Sequence, residues 1–99
     1  MPLPLRDLMR VLAVAEHGSV SDAARALHIA QPALSKIVRT SEEYLGIQLF
    51  ERTHKGVTLT AQGEVLRARA RAIRAEVGRV ERDVQDIRKG RFRQVRIGI

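Results

Sequence analysis

Gln31, Ser35, Lys36 and Arg39 are the residues of this 99-residue chain whose types and spacing point most directly to chemistry. In a helix, steps of four, one and three keep them on one side, where an amide and a hydroxyl are followed by two cations. Such a surface offers bidentate and charge-assisted donors of the kind that reads base edges in a duplex major groove, and Ala33 beside it can meet a thymine methyl while Pro32 flanks the contact. The same pattern also suits an ordinary solvated face of a helical hairpin. Reaction chemistry is missing: the sequence contains no nucleophile–base pair, paired carboxylates, metal-ligand cluster or phosphate-cradling glycine loop, so no enzyme and no cofactor is expected.

The elements that must position these side chains surround them in the sequence. Ser19 and Asp22 are spaced as a capping box, with the hydroxyl accepting from the third helical N–H and the carboxylate reaching back, so a helix starts near Val20. Ala23, Ala24 and Leu27 give it a narrow stripe, mostly of methyl groups, that lets another helix approach closely. His28 to Ala30 is long enough only for a turn. Pro32 then marks a helix start, because its missing N–H has no intrahelical partner in a first turn. Leu34, Ile37, Val38, Tyr44 and Leu45 supply the buried side of this second helix.

Before them, Leu5, Leu8, Val11, Leu12, Val14 and Ala15 form a helical stripe that Gly18 ends after His17. After them, Gly46 stops the second helix. Ile47 to Thr53 and Val57 to Leu59 read as two short strands around His54-Lys55-Gly56, with Leu49 and Phe50 plugging the core. Neither His17 nor His28 has a second ligand at metal spacing, and His54 could at most join an anion contact when protonated.

Thr60 opens the longest element, expected to reach about Lys89. Its apolar positions Leu66, Ala70, Ile73, Val77, Val80, Val84 and Ile87 alternate steps of four and three, a coiled-coil seam that calls for a partner chain. Gly78 lowers helix propensity there by about 1 kcal/mol. The cations Arg67, Arg69, Arg71 and Arg74 near its start read as solvated or paired with neighbouring acids. Beyond Gly90 the segment Arg93 to Ile99 alternates polar and apolar residues.

The chain carries a net charge of +7, which favours a polyanionic partner. Residues 1–59 hold seven cations against six acids, whereas residues 60–99 hold eleven against five, so the case for the helix at Gln31 rests on particular side chains and not on a general basic field. There is no cysteine, which excludes disulfides and thiolate metal sites and suits a reducing compartment. No leader pattern and no run of about 18 apolar residues occurs, so a cytoplasmic protein without membrane contact is expected.

Taken together, LAVAEHGSVSDAARALHIAQPALS, EEYLGIQLFERT and LTAQG resemble the DNA-binding domain of LysR-type transcriptional regulators from about Leu5 to Gly63. The resemblance implies a mainly α fold: a winged helix-turn-helix of three helices plus a two-stranded wing over residues 1–59, with the helix-turn-helix at about 20–39. A linker or dimerisation helix would follow over 60–90, and the start of an effector domain over 91–99. It implies double-stranded promoter DNA as partner, with Gln31 to Leu45 as recognition helix and Arg52 at the backbone or minor groove; a DNA-binding reading adds Ser21 at phosphate, while Lys55 fits either a phosphate contact or a solvated hairpin tip. A homodimer through antiparallel linker helices, compatible with a tetramer in a full-length protein, and a small-molecule inducer bound by the effector portion are implied as well. Lys36 stands where many members have arginine, and Ser41 where leucine is usual, so the latter half of the recognition helix is expected to be looser or differently packed.

Two other function classes stay in view. A coiled-coil interaction module would use the long helix alone, the front half merely capping it. Single-strand or RNA binding lacks a stacking platform, since Tyr44, Phe50 and Phe92 are the only aromatic residues.

Overall fold

The computed structural model describes residues 3–90, and the segment 91–99, expected to begin an effector domain, lies outside them. Three helices, α1 (Leu5–His17), α2 (Val20–Leu27) and α3 (Gln31–Leu45), precede a hairpin of β1 (Phe50–Thr53) and β2 (Gly56–Leu59), and α4 (Ala61–Arg88) completes the chain. The hairpin is antiparallel, with Phe50 opposite Leu59 and Thr53 opposite Gly56. This is the mainly α winged helix-turn-helix followed by a long helix.

Helix α1 is the central element because its apolar stripe is shared between two clusters. Val11 and Val14 join Ala23, Ala24, Leu34, Leu49 and Phe50, so α2, α3 and the base of the hairpin close over one side. Leu8 and Leu12 join Ala70, with Leu66 packed alongside, so α4 docks on the other. Ala23 and Ala24 are buried, as a stripe of methyl groups in close helix contact must be.

Caps set the helix boundaries. The Ser19 hydroxyl accepts from the Asp22 N–H at 3.0 Å, but the Asp22 carboxylate turns to Arg25 and not back to Ser19, so only half of the expected capping box forms. Thr60 caps α4 by accepting from Gly63 N–H at 3.0 Å, while its own hydroxyl donates to the Gln48 carbonyl at 2.6 Å. One side chain thereby ties the start of the long helix to the segment before the hairpin.

Two expectations, at Tyr44 and at Ile47 to Leu49, are corrected, and at Ser41 the structure chooses between the two expected outcomes. Tyr44 is 51% exposed, because the inward side of α3 runs through Leu34, Ile37, Val38, Ser41 and Leu45 and Tyr44 falls beside it. Ser41 is buried yet donates to the Ile37 carbonyl at 2.7 Å, so the polar residue is satisfied within its own helix and the latter half of α3 stays regular. Ile47 to Leu49 are not strand: the Glu42 carboxylate accepts from the N–H of Leu49 (2.7 Å) and Phe50 (3.2 Å), so although the Leu49 carbonyl accepts from the Thr60 N–H, the N–H groups are diverted from a ladder.

Two glycines mark close approaches. A Cβ on Gly63 would lie far inside contact distance of the Leu49 carbonyl and of Leu59, and one on Gly56 would do the same to the Gly18 carbonyl, which accepts from Val57 N–H at 3.0 Å. The first contact seats α4 on the hairpin; the second seats the hairpin on the turn between α1 and α2.

Farther along α4, Arg74 forms a bidentate pair with Glu16 of α1 at 2.8 and 2.9 Å. The hydrogen bond from Arg74 is the largest effect and holds the Glu16 carboxyl below its ordinary value; burial, next in size, opposes it, and the charges of Arg74, Arg71 and His17 add to the lowering. A depressed folded pKa means that the pair's contribution is complete above the unfolded glutamate value and is lost as pH falls through the lowered one.

Two outcomes follow from this packing. In urea denaturation, Gly63→Ala should cost about 1–3 kcal/mol by forcing α4 off the hairpin, whereas Gly78→Ala, which meets only the mobile end of Arg82, should add about 0.5–1 kcal/mol. Glu16→Gln should be slightly less stable than the parent at pH 7, the gap closing below the ordinary carboxylate range; a gap unchanged between pH 7 and pH 3 would contradict the pairing.

Candidate nucleic-acid interface

Helix α3 presents the expected side chains outward. Gln31, Pro32, Ala33, Lys36 and Arg39 are exposed and Ser35 is half-buried, while Leu34 between them is completely buried and anchors the helix to α1 and α2. At its start, Ala30 provides no capping side chain and the first turn contains no acid, so the positive end of the helix dipole faces outward without a competing carboxylate.

The hairpin stands beside this face, and Arg52 is the charged side chain that, with Val20 and Val57, lines both depressions between them. Ser35, Val38, Arg39, Glu42, Gln48 and Arg52 line a groove of about 440 Å³ between α3 and β1. Ser21, Gln31, Arg52, Thr53 and His54 line a second cleft of about 290 Å³ at the start of α3. The structure therefore brings together Ser21, Gln31 and Arg52, and separately Ser35, Arg39 and Arg52. Pro32, Ala33 and Lys36 stand on the open side of α3, outside both depressions. Lys55 sits at the exposed hairpin turn, where its backbone N–H donates to the Thr53 hydroxyl at 3.2 Å.

Ser21, expected at phosphate, has a partner within the chain. Its hydroxyl donates to Gln31 Oε1 at 2.9 Å, which leaves the amide nitrogen of Gln31 directed to other acceptors. Ser21 thus holds the Gln31 amide in place.

Four cations around this face are available to an anion. Among the described residues, Lys36, Arg39, Arg52 and Lys55 are not held in ion pairs, whereas Arg25 pairs with Asp22, Arg67 with Glu64 at 2.6 Å and Arg79 with Glu76 at 3.0 Å. The acid in the groove, Glu42, is engaged by the Leu49 and Phe50 N–H groups, so its charge is spread into the backbone and opposes an incoming anion less. The result is a convex, donor-rich helix flanked by unpaired cations, suited to a polyanion with acceptor edges. No group of three or more His, Cys, Asp or Glu among the described residues could hold a metal ion.

Sequence reasoning missed two residues of the site. His54, given little weight, lines the cleft beside Gln31, and Gln48, whose amide donates to the Phe50 carbonyl at 3.0 Å, lines the groove. Both arrive there by folding of the hairpin against α3, which no local spacing encodes.

The apolar seam of α4 is divided. Leu66 is half-buried and Ala70 completely covered by α1, so these two expected seam positions serve the chain's own core. Ile73, Val77, Val80, Val84 and Ile87 remain exposed along one side of the helix.

Comparison with known proteins agrees with this architecture. The family model described as "Bacterial regulatory helix-turn-helix protein, lysR family" matches residues 5–64. A probable hydrogen peroxide-inducible genes activator of Streptomyces viridosporus is 41% identical over 96% of this chain, and the nitrogen assimilation regulatory protein nac of Escherichia coli (strain K12) is 41% identical over 94%. The chain spans 30% of the length of each. Among solved structures, a BenM DNA-binding domain in complex with catB site 1 DNA superposes with a TM-score of 0.81 at 37% identity, covering 88% of this chain and 94% of that one. No helix of the described residues is long and apolar enough to cross a membrane. With the family pattern spread over all three short helices and the hairpin, this chain belongs to the lysR family of bacterial regulatory helix-turn-helix proteins.

Proposed function

We propose that this chain is the DNA-reading part of a cytoplasmic, dimeric transcription regulator that binds a specific double-stranded promoter site. The observation that carries the reading is the outward face of α3, where an amide, a hydroxyl and two unpaired cations stand next to Arg52 of the hairpin. In this reading α3 enters the major groove. Gln31, Ala33, Ser35 and Lys36 meet base edges, with Pro32 and Arg39 at the flanks. Arg52 and Lys55 lie along the backbone or in the adjoining minor groove. Ser21 acts through Gln31. Lys36, a point charge, contributes affinity more than geometric selectivity.

The exposed positions Ile73, Val77, Val80, Val84 and Ile87 pair with a second copy, which places two reading helices on two half-sites related by a two-fold axis. Sensing of a small-molecule inducer belongs, in this reading, to an effector portion beyond these residues. The same exposed seam also favours a second reading, an interaction module with no sequence preference.

Selection of bound duplexes from a random pool separates the two: enrichment of an interrupted inverted repeat is expected, and enrichment of no motif would support the interaction module. On the selected site Gln31→Ala should cost about 1–3 kcal/mol and relax base preference. Arg52→Ala should weaken specific and random duplexes alike and lower the slope of log K against log salt by about 1. Ser21→Ala should lose affinity only while Gln31 is present; additive losses in the double-mutant cycle would assign Ser21 an independent contact.

A further inference from the structure

Helix α4 is seated at its start by the Thr60 cap and by Gly63 against the Leu49 carbonyl, and two contacts with α1 farther along define the direction in which it leaves the body of the protein. One is apolar, Ala70 with Leu66 against Leu8 and Leu12 of α1. The other is the Arg74–Glu16 pair, one helical turn farther along. The apolar contact is non-directional and would allow α4 to swing or roll about it. The bidentate pair is directional, since both guanidinium nitrogens must meet both carboxylate oxygens. The ion pairs Arg6–Asp7, Arg25–Asp22, Arg67–Glu64 and Arg79–Glu76 each join neighbours within one helix and cannot set an angle between elements.

The position of Glu16 is also informative. It is the next-to-last residue of α1, where the helix dipole disfavours a carboxylate, so nothing in α1 itself calls for an acid there. Its partner lies 58 residues away in sequence.

We propose that the Glu16–Arg74 pair is a positioning clamp that determines the half-site spacing this chain accepts, by holding the angle between α4 and the reading domain. The inference rests on the dimeric reading above. The exposed apolar positions Ile73 to Ile87 lie at or beyond the clamp, so a second copy would grip α4 on the free arm, and any tilt at the pivot would pass directly to the distance between the two reading helices. From Ala70 to Arg88 the arm is about 27 Å long at 1.5 Å per residue. A tilt of about 10° displaces its end by roughly 5 Å, more than the 3.4 Å rise of one base pair. Because one base pair also rotates the half-site around the duplex axis, such play would admit neighbouring spacers that a rigid arm rejects. The pair is exposed on both partners, so its loss should leave the fold nearly as stable as before while changing which sites are chosen.

The test uses the 99-residue chain and a duplex library in which the selected half-site is repeated in inverted orientation across spacers of varied length. The parent should prefer one spacer. Glu16→Gln and Arg74→Lys should each spread binding over neighbouring spacers, reducing discrimination at least five-fold, with affinity for a single half-site within two-fold of the parent. The swap Glu16→Arg with Arg74→Glu should recover a narrow preference. Parent-like spacer discrimination in both single variants, with unchanged melting, would overturn the clamp. If one single variant fails to fold, the other and the swap decide by the same criterion. A parent that selects no paired half-sites would instead overturn the dimeric reading, and the clamp with it.

Discussion

The division of the α1 stripe between two apolar clusters is the constraint on which the other features depend. One short helix is covered on one side by α2, α3 and the hairpin base, and on the other by the start of α4. Both the outward aim of α3 and the departure of α4 are therefore referred to the same element. Close packing transmits this arrangement because the buried residues at the crossing, Ala23, Ala24, Leu34 and Val14, leave no slack to absorb a shift. A rigid presentation matters for a reading helix, since base-edge hydrogen bonds tolerate little displacement.

Polar groups complete what the apolar clusters begin. Around Leu49 the backbone N–H is taken by the Glu42 carboxylate, the Leu49 carbonyl by the Thr60 N–H and the Gln48 carbonyl by the Thr60 hydroxyl. Thr60 at the same time caps α4, and Gly63, one turn later, allows the helix to touch the Leu49 carbonyl. The LT-x-x-G and E-x-x-x-G patterns thus have a local physical reason: a cap, a close approach and a carboxylate acceptor meet at one junction. The hairpin is held at its other end by Val57 donating to the Gly18 carbonyl, so Arg52 is carried to the reading face by a structure tied at both ends.

Charge is allotted by role. Several cations of α4 and α2 are neutralised by acids one turn away or, for Arg74, across the interface with α1. Those beside α3 are, among the described residues, not held in ion pairs, and the carboxylate in their groove is occupied by backbone donors. Although the net surplus lies mostly in the last forty residues, the four cations near Gln31 are, among the described residues, not held in ion pairs, so pairing as well as composition decides which charges remain available there.

Much of this was legible in the sequence. Caps and periodicity located all four helices within a residue or two, since Ser19, Pro32, Gly46 and Thr60 act on backbone groups three or four positions away. The side of α3 that carries Gln31, Ser35, Lys36 and Arg39 was likewise readable, being set by helical geometry alone. What local pattern could not supply was anything decided by elements distant in the chain. A heptad count cannot know that α1 covers Leu66 and Ala70 before any partner does, nor that Ser41 takes the inward place from Tyr44. Likewise Ser21 meets Gln31, His54 enters the cleft and Arg74 closes on Glu16 only once the chain has folded. Local hydrogen bonding and side-chain period are written residue by residue, whereas which exposed stripe becomes core, and which charges meet, depends on the mutual orientation of elements that only close packing settles.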